Sequence, residues 1–171
     1  MFDAQLLHDA AELLDICRRA DIKLATAESC TGGLIVGCLT EIAGSSDVVD
    51  RGFVTYSNEA KTDLVGVPNM LIAMKGAVSE PVARAMAEGA LSRSMADVTV
   101  AVTGVAGPGG GTAAKPVGLV YLGACRRGED PRHLRRVFPG DRTAVRRAAL
   151  EEALGLALAV IDEASDGSAD G

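Results

Sequence analysis

The chain has 171 residues, a formal net charge of −6 and 48% hydrophobic residues, with two Tyr, three Phe and no Trp. That length suits one domain burying roughly 70% of its unfolded surface, around a core of Ala, Val, Leu and Ile. The acidic balance argues against a general nucleic-acid binder, which needs a cationic surface to neutralise phosphates.

From the N-terminus, "MFDAQLLHDAAELLD" is acidic and amphipathic, unlike a signal peptide. No run of 18 or more apolar residues follows anywhere, so no membrane span is expected. The segment "AQLLHDAAELLDICRRA" sets Leu6, Leu7, Ala10, Leu13, Leu14 and Cys17 at helical spacing, with Asp3 as N-cap. "IKLATAES" reads as a strand ending near Ser29, and "TGGLIVGCLTEIAG" as a helix closing at Gly44. "RGFVTYS" alternates as a strand does, and "NEAKTDLVG" is a short helix with Asn58 as N-cap.

After a loop, "SEPVARAMAEGALSRS" has Ser79 as N-cap and Pro81 in the first turn of a helix. "DVTVAVTG" is a buried strand, "VAGPGGGTAAKP" a glycine-rich loop and "VGLVYLGAC" another strand. "HLRRVFPG" is its antiparallel neighbour across the polar turn "RRGEDP". "DRTAVRRAALEEALGLALAVIDEA" is the last helix. One domain is expected over residues 1–163 and a polar tail over 164–171. Alternating helices and strands predict a three-layer α/β/α sandwich, and the two C-terminal strands without a helix between them make its sheet mixed.

Cys17, Cys30, Cys38 and Cys125 show no metal-ligand spacing. Free thiols in a reducing cytoplasm are the simplest account, with no metal or cofactor. Eight arginines crowd residues 126–147, from which a solvated face or a local anion site can be built.

In open α/β sheets, ligands collect beyond the carboxyl ends of the strands. Three polar clusters fall there: Glu28-Ser29-Cys30, Tyr56-Ser57-Asn58 and Thr103-Gly104. Ser29 precedes Thr31-Gly32-Gly33 at a helix start, where unpaired N–H groups can hold an anion or a developing oxyanion. The alternative is that Ser29 or Thr31 only caps the helix. A serine nucleophile needs a base, and His8 and His133 both lie away from this edge.

Lys61 stands at the start of the helix after the second strand and can serve as that base if its amine is neutral; the alternative is a surface lysine making an i, i+4 contact. Tyr56 is placed to orient Ser29 or relay a proton, or is only an amphipathic edge residue. Cys30 is either a rival nucleophile or a small buried thiol. The loop "GVAGPGGG" contains Gly107 but lacks the Gly-Lys-Ser/Thr of a P-loop. In "PGDRTAVRR", Asp141 can cap the last helix and leave Arg142 at its start, a good phosphate or carboxylate site.

Taken together, "TAESCTGG", "GFVTYSNEAK", "GAVSEPVA", "TGVAGPGGG", "KPVGLVY" and "GDRTAVR" resemble the CinA C-terminal family, bacterial nicotinamide mononucleotide amidases. The match runs in order from about residue 5 to 160. The resemblance implies a mostly parallel mixed sheet of five strands and a stand-alone amidase form without the additional N-terminal domain of longer CinA proteins. It implies hydrolysis of nicotinamide mononucleotide to nicotinate mononucleotide and ammonia, in pyridine nucleotide salvage. The family's serine falls on Ser29, its lysine on Lys61 and the tyrosine of the same motif on Tyr56. Thr103 stands where some relatives have serine.

Cys30, Thr31, Gly32, Gly33, Gly107 and Arg142 are the expected substrate contacts, with Arg146 a further one. The partner is then a small nucleotide rather than nucleic acid or membrane, and a homodimer is the common state of small enzymes of this kind. A regulatory nucleotide-binding module of the same family, without turnover, is the alternative reading.

Overall fold

In the computed structural model, which describes residues 2–167, the first helix, α1 (Ala4–Arg19), starts as predicted. The Asp3 carboxylate accepts from the Leu6 N–H at 3.0 Å. The strand β1 (Leu24–Glu28) is buried along its whole length. Helix α2 (Leu34–Thr40) ends sooner than its pattern suggests, and Gly44 instead precedes a 3-10 turn over Ser45–Asp47. Strand β2 (Val49–Val54) leads into α3 (Asn58–Val65). The cap of α3 is Ser57, not Asn58: the Ser57 hydroxyl accepts from the Ala60 N–H at 2.9 Å.

Helix α4 (Asn69–Lys75) lies where the sequence suggests only a loop. Two turns behind Pro68 are too short for a periodic signal. Helix α5 (Glu80–Ser92) follows, with Pro81 in its first turn as expected. Ser79 holds the cap position, but its hydroxyl donates to the Gly76 carbonyl rather than receiving a helix N–H. Strands β3 (Val98–Gly104), β4 (Leu119–Arg126) and β5 (Arg132–Val137) complete the sheet. Helix α6 (Arg142–Gly167) runs past the expected start of the tail, and residues 168–171 of that tail lie outside the described residues.

The sheet order is β2-β1-β3-β4-β5. β1 pairs in parallel with both β2 and β3, while the β3–β4 and β4–β5 pairs are antiparallel. β4 alone therefore runs against the others, so the sheet is mixed and mostly parallel. Alternation along β3 decides the layers. Val98, Val100 and Val102 point into a core shared with α1, α2 and α6, and Ala101 into one shared with α3, α4 and α5.

The second face is lined by small side chains such as Ala27 and Ala101, so α5 lies close to the sheet. α5 also lies close to α3, because a Cβ at Gly89 would run into the Val65 carbonyl oxygen. Gly89→Ala should therefore push α3 outward and cost about 1–3 kcal/mol, as overpacking does. Thermal unfolding checks this, and activity should fall with it because α3 carries Lys61.

Candidate active site

The carboxyl ends of β1, β2 and β3 lie side by side because the three strands are parallel neighbours. The Ser29 N–H extends the β1–β3 ladder by donating to the Val102 carbonyl at 2.9 Å. The Thr55 N–H does the same for β1–β2 by donating to the Glu28 carbonyl at 2.8 Å. Ser29 and the base of α3 are thus held on one edge by backbone bonds alone.

Lys61 reaches across that edge. Its Nζ donates to Ser29 Oγ at 3.0 Å, and to the carbonyls of Thr55 (2.9 Å), Tyr56 (3.3 Å) and Ser57 (3.4 Å). The side chain is 1% exposed, and among the described residues no carboxylate is paired with it. Burial pushes the amine below its ordinary value near 10.5, against a smaller opposing influence from Cys30. A lysine turned inward against a serine hydroxyl, without a counter-charge, is the arrangement a general base needs.

Cys30 is buried as well, and its thiol is pushed up to about 11, mainly by burial. Burial thus holds the thiol in its protonated form, and the Lys61 amine contacts Ser29 Oγ, which makes Ser29 the better placed of the two.

Several expected roles are differently occupied. Gly32 and Gly33 have φ of +61° and +96°, so glycine is needed there for the left-handed backbone rather than for clearance around a ligand. The Gly33 N–H is taken by the Glu28 carboxylate at 3.0 Å, and the Gly32 N–H by the Ser29 carbonyl at 3.0 Å. Among the described residues, the Cys30 and Thr31 N–H groups have no protein acceptor. The Thr31 hydroxyl is also buried without a partner.

The Thr103 hydroxyl donates to the Ala77 carbonyl at 2.9 Å, tying β3 to the start of α5 rather than reaching Ser29. The phenol of Tyr56 is exposed and accepts from Arg142 Nη2 at 3.0 Å, so its partner is the arginine and not the serine. Arg142 Nη1 donates to the Gly107 carbonyl at 2.9 Å, beside a cleft of about 440 Å³ lined by Ala106, Pro108, Val117 and Thr143 among others. Arg146 turns inward instead, with Nε donating to the Cys30 carbonyl and Nη2 to the Thr31 carbonyl, each at 3.0 Å. Its guanidinium is spent on the turn that carries Ser29.

Glu28, named in the first polar cluster, has no role of its own in the sequence analysis. It is fully buried under α2 and binds the backbone of that helix. Its signal is a carboxylate closing the otherwise apolar strand "LATAE". No group of three or more His, Cys, Asp or Glu able to hold a metal occurs among the described residues, nor does a helix long and apolar enough to cross a membrane.

Fold and site together describe a three-layer α/β protein with a buried serine–lysine pair at the carboxyl edge of its sheet. The chain belongs to the CinA family: residues 7–161 match the model of the CinA C-terminal domain. It is 47% identical over 155 residues to the Escherichia coli K12 nicotinamide-nucleotide amidohydrolase PncC, covering 90% of this chain and 93% of that protein. A CinA-like protein of Akkermansia muciniphila is 52% identical over 141 residues, 81% of this chain. The chain spans only about a third of the length of that protein, and of a putative competence-damage inducible protein of Caldicellulosiruptor bescii. Among solved structures, the competence/damage inducible protein CihA of Agrobacterium tumefaciens superposes with a TM-score of 0.91 at 48% identity, covering 95% of this chain and 98% of the other.

Proposed function

We propose that this chain is a nicotinamide-nucleotide amidase that hydrolyses nicotinamide mononucleotide to nicotinate mononucleotide and ammonia. The similarity to PncC over almost the whole of both chains supports the substrate class. The observation that carries the chemistry is the 3.0 Å contact between Lys61 Nζ and Ser29 Oγ.

As a free base, Lys61 has two N–H donors for the carbonyls of Thr55 and Tyr56 and a lone pair for Ser29. The Ser29 proton passes to Nζ as Oγ bonds to the carboxamide carbon. The carbonyl oxygen becomes an oxyanion, received by the Cys30 and Thr31 N–H groups. Lys61 then protonates the departing nitrogen, the C–N bond breaks and ammonia leaves an acyl-serine. Water, deprotonated by the same amine, attacks the ester, and Oγ departs with its proton restored. Every proton is returned, so the cycle closes without a further reactant.

Arg142 is the phosphate contact in this reading, since it is exposed at the start of α6 whereas Arg146 is half-buried against the Cys30 and Thr31 carbonyls. Losing a charge-assisted contact of that kind should raise KM roughly 10- to 100-fold in Arg142→Met while leaving kcat within about threefold. Steady-state kinetics check the split. The reading as a whole is tested by ammonia release from purified protein given nicotinamide mononucleotide, nicotinamide riboside or nicotinamide. Turnover confined to the nucleotide supports it. Binding without ammonia release would favour a regulatory module instead.

A further inference from the structure

Glu28 takes no part in the steps above, yet its position beside them is highly specific. It is 0% exposed and directly precedes Ser29. Its Oε2 accepts from the N–H groups of Gly33 and Ile35, each at 3.0 Å. Its Oε1 accepts from the Val36 N–H at 2.9 Å and from Thr26 Oγ1 at 3.1 Å. The intervening Leu34 N–H donates to the Thr31 carbonyl at 3.2 Å.

Every orphan donor at the start of α2 is therefore answered from within the chain. Four partners donate to the carboxylate and, among the described residues, no Lys or Arg is paired with it. The helix start itself supplies the counter-charge. A simple cap would need only a serine or asparagine here. A buried carboxylate gripping three backbone N–H groups, at the cap and in the first turn of α2, does more than end a turn.

We infer that Glu28 is a positioning residue for the amidase reaction: it anchors α2 and so fixes the turn from Ser29 to Gly33, with the Cys30 and Thr31 N–H groups that receive the oxyanion. The inference rests on the amidase reading. Glu28 closes the helix start, which excludes the α2 N–H groups from the oxyanion site and leaves that work to the turn. Arg146 grips the same turn through its carbonyls, so the turn is held from both its donor and its acceptor sides. Such anchoring matters most when charge develops on the carbonyl oxygen, and so acts on kcat rather than on ground-state binding.

The test uses the full chain with Glu28→Gln, which keeps the shape and replaces one accepting oxygen by an NH2 that cannot accept. In the folded variant kcat should fall about 100-fold, the scale of a small misplacement at a reacting centre. KM, and the calorimetric Kd for nicotinamide mononucleotide, should stay within about threefold of wild type. The rise of rate with pH should keep its position while its plateau drops, because Lys61 is untouched.

Thr26→Val removes a single donor to Oε1 without altering the carboxylate, and should lower kcat about fivefold in the same kcat-only manner. A folded Glu28→Gln with kcat within threefold of wild type overturns the inference. So does a Kd that worsens in step with kcat, which marks a general structural role. Where Glu28→Gln does not fold, Thr26→Val decides by the same two criteria. Wild-type protein that released no ammonia would instead overturn the amidase reading, and this inference with it.

Discussion

Replacing Ser29 with alanine should abolish ammonia release, a fall of about 10⁴- to 10⁶-fold, the scale seen when a serine nucleophile is removed from a coupled catalytic unit. The fold should survive. Both backbone bonds of Ser29, its N–H to Val102 and its carbonyl from Gly32, are independent of the side chain. Lys61 would lose one partner of four and keep the carbonyls of Thr55, Tyr56 and Ser57. The variant should still bind nicotinamide mononucleotide, since Arg142 and the cleft beside it are untouched. Calorimetry measures that affinity, and mass spectrometry of acid-quenched wild-type enzyme should find an acylated Ser29 peptide that the variant lacks. More than a tenth of wild-type turnover in the variant would remove the covalent route and leave water as the attacking group.

The elements that carry the site were legible because their signals are local. Asp3, Ser79 with Pro81, and Asp141 mark helix starts, and the Val98-Val100-Val102 alternation marks the central strand. Parallel pairing of β1, β2 and β3 then brings Ser29 and Lys61 to one edge, even though thirty-two positions separate them. Pairing Ser29 with Lys61 rested on the resemblance to the CinA C-terminal family, since a serine after one strand and a lysine after the next equally suit a helix cap and a surface lysine. What was not readable is how their neighbours spend their hydrogen bonds. Arg142 and Arg146 are a single helical turn apart and look equivalent in "GDRTAVRR". One faces outward to Tyr56 and Gly107 and the other inward to the carbonyls of Cys30 and Thr31. Only the packing of α6 against the turn from Ser29 to Gly33 makes that distinction.

The helix start behind Ser29 misled for a related reason. A glycine-rich turn opening a helix suggests free N–H groups, and periodicity says nothing about which of them a buried side chain has already taken. Glu28 takes three of them, so the partial positive charge of α2 is directed at a carboxylate within the chain rather than at a ligand. In the proposed mechanism the oxyanion therefore falls to the earlier amides of Cys30 and Thr31, which have no protein acceptor among the described residues. This also bears on Lys61, because a neutral base and a neutral alcohol bring no charge of their own to the reacting carbonyl. The developing negative charge has to be met by fixed dipoles.

Lys61→Met should therefore be almost as damaging as loss of the nucleophile, lowering kcat about 10³- to 10⁴-fold, near the upper range for removal of a general base that also serves as general acid. Methionine preserves the unbranched apolar stem, so α3 should remain docked while the proton acceptor disappears. Wild-type enzyme provides the companion measurement. Burial lowers the Lys61 pKa, so the amine becomes neutral at a lower pH than an exposed lysine would. The protonated form cannot accept the Ser29 proton. Hence kcat/KM should rise with pH as Lys61 loses its proton and level off above its pKa, with the inflection below 10.5. Lys61→Arg, which stays protonated throughout, should show neither the activity nor the rise. A wild-type profile that is flat across this range would reassign the lysine to holding Ser29 in place. The proton would then have to leave through water.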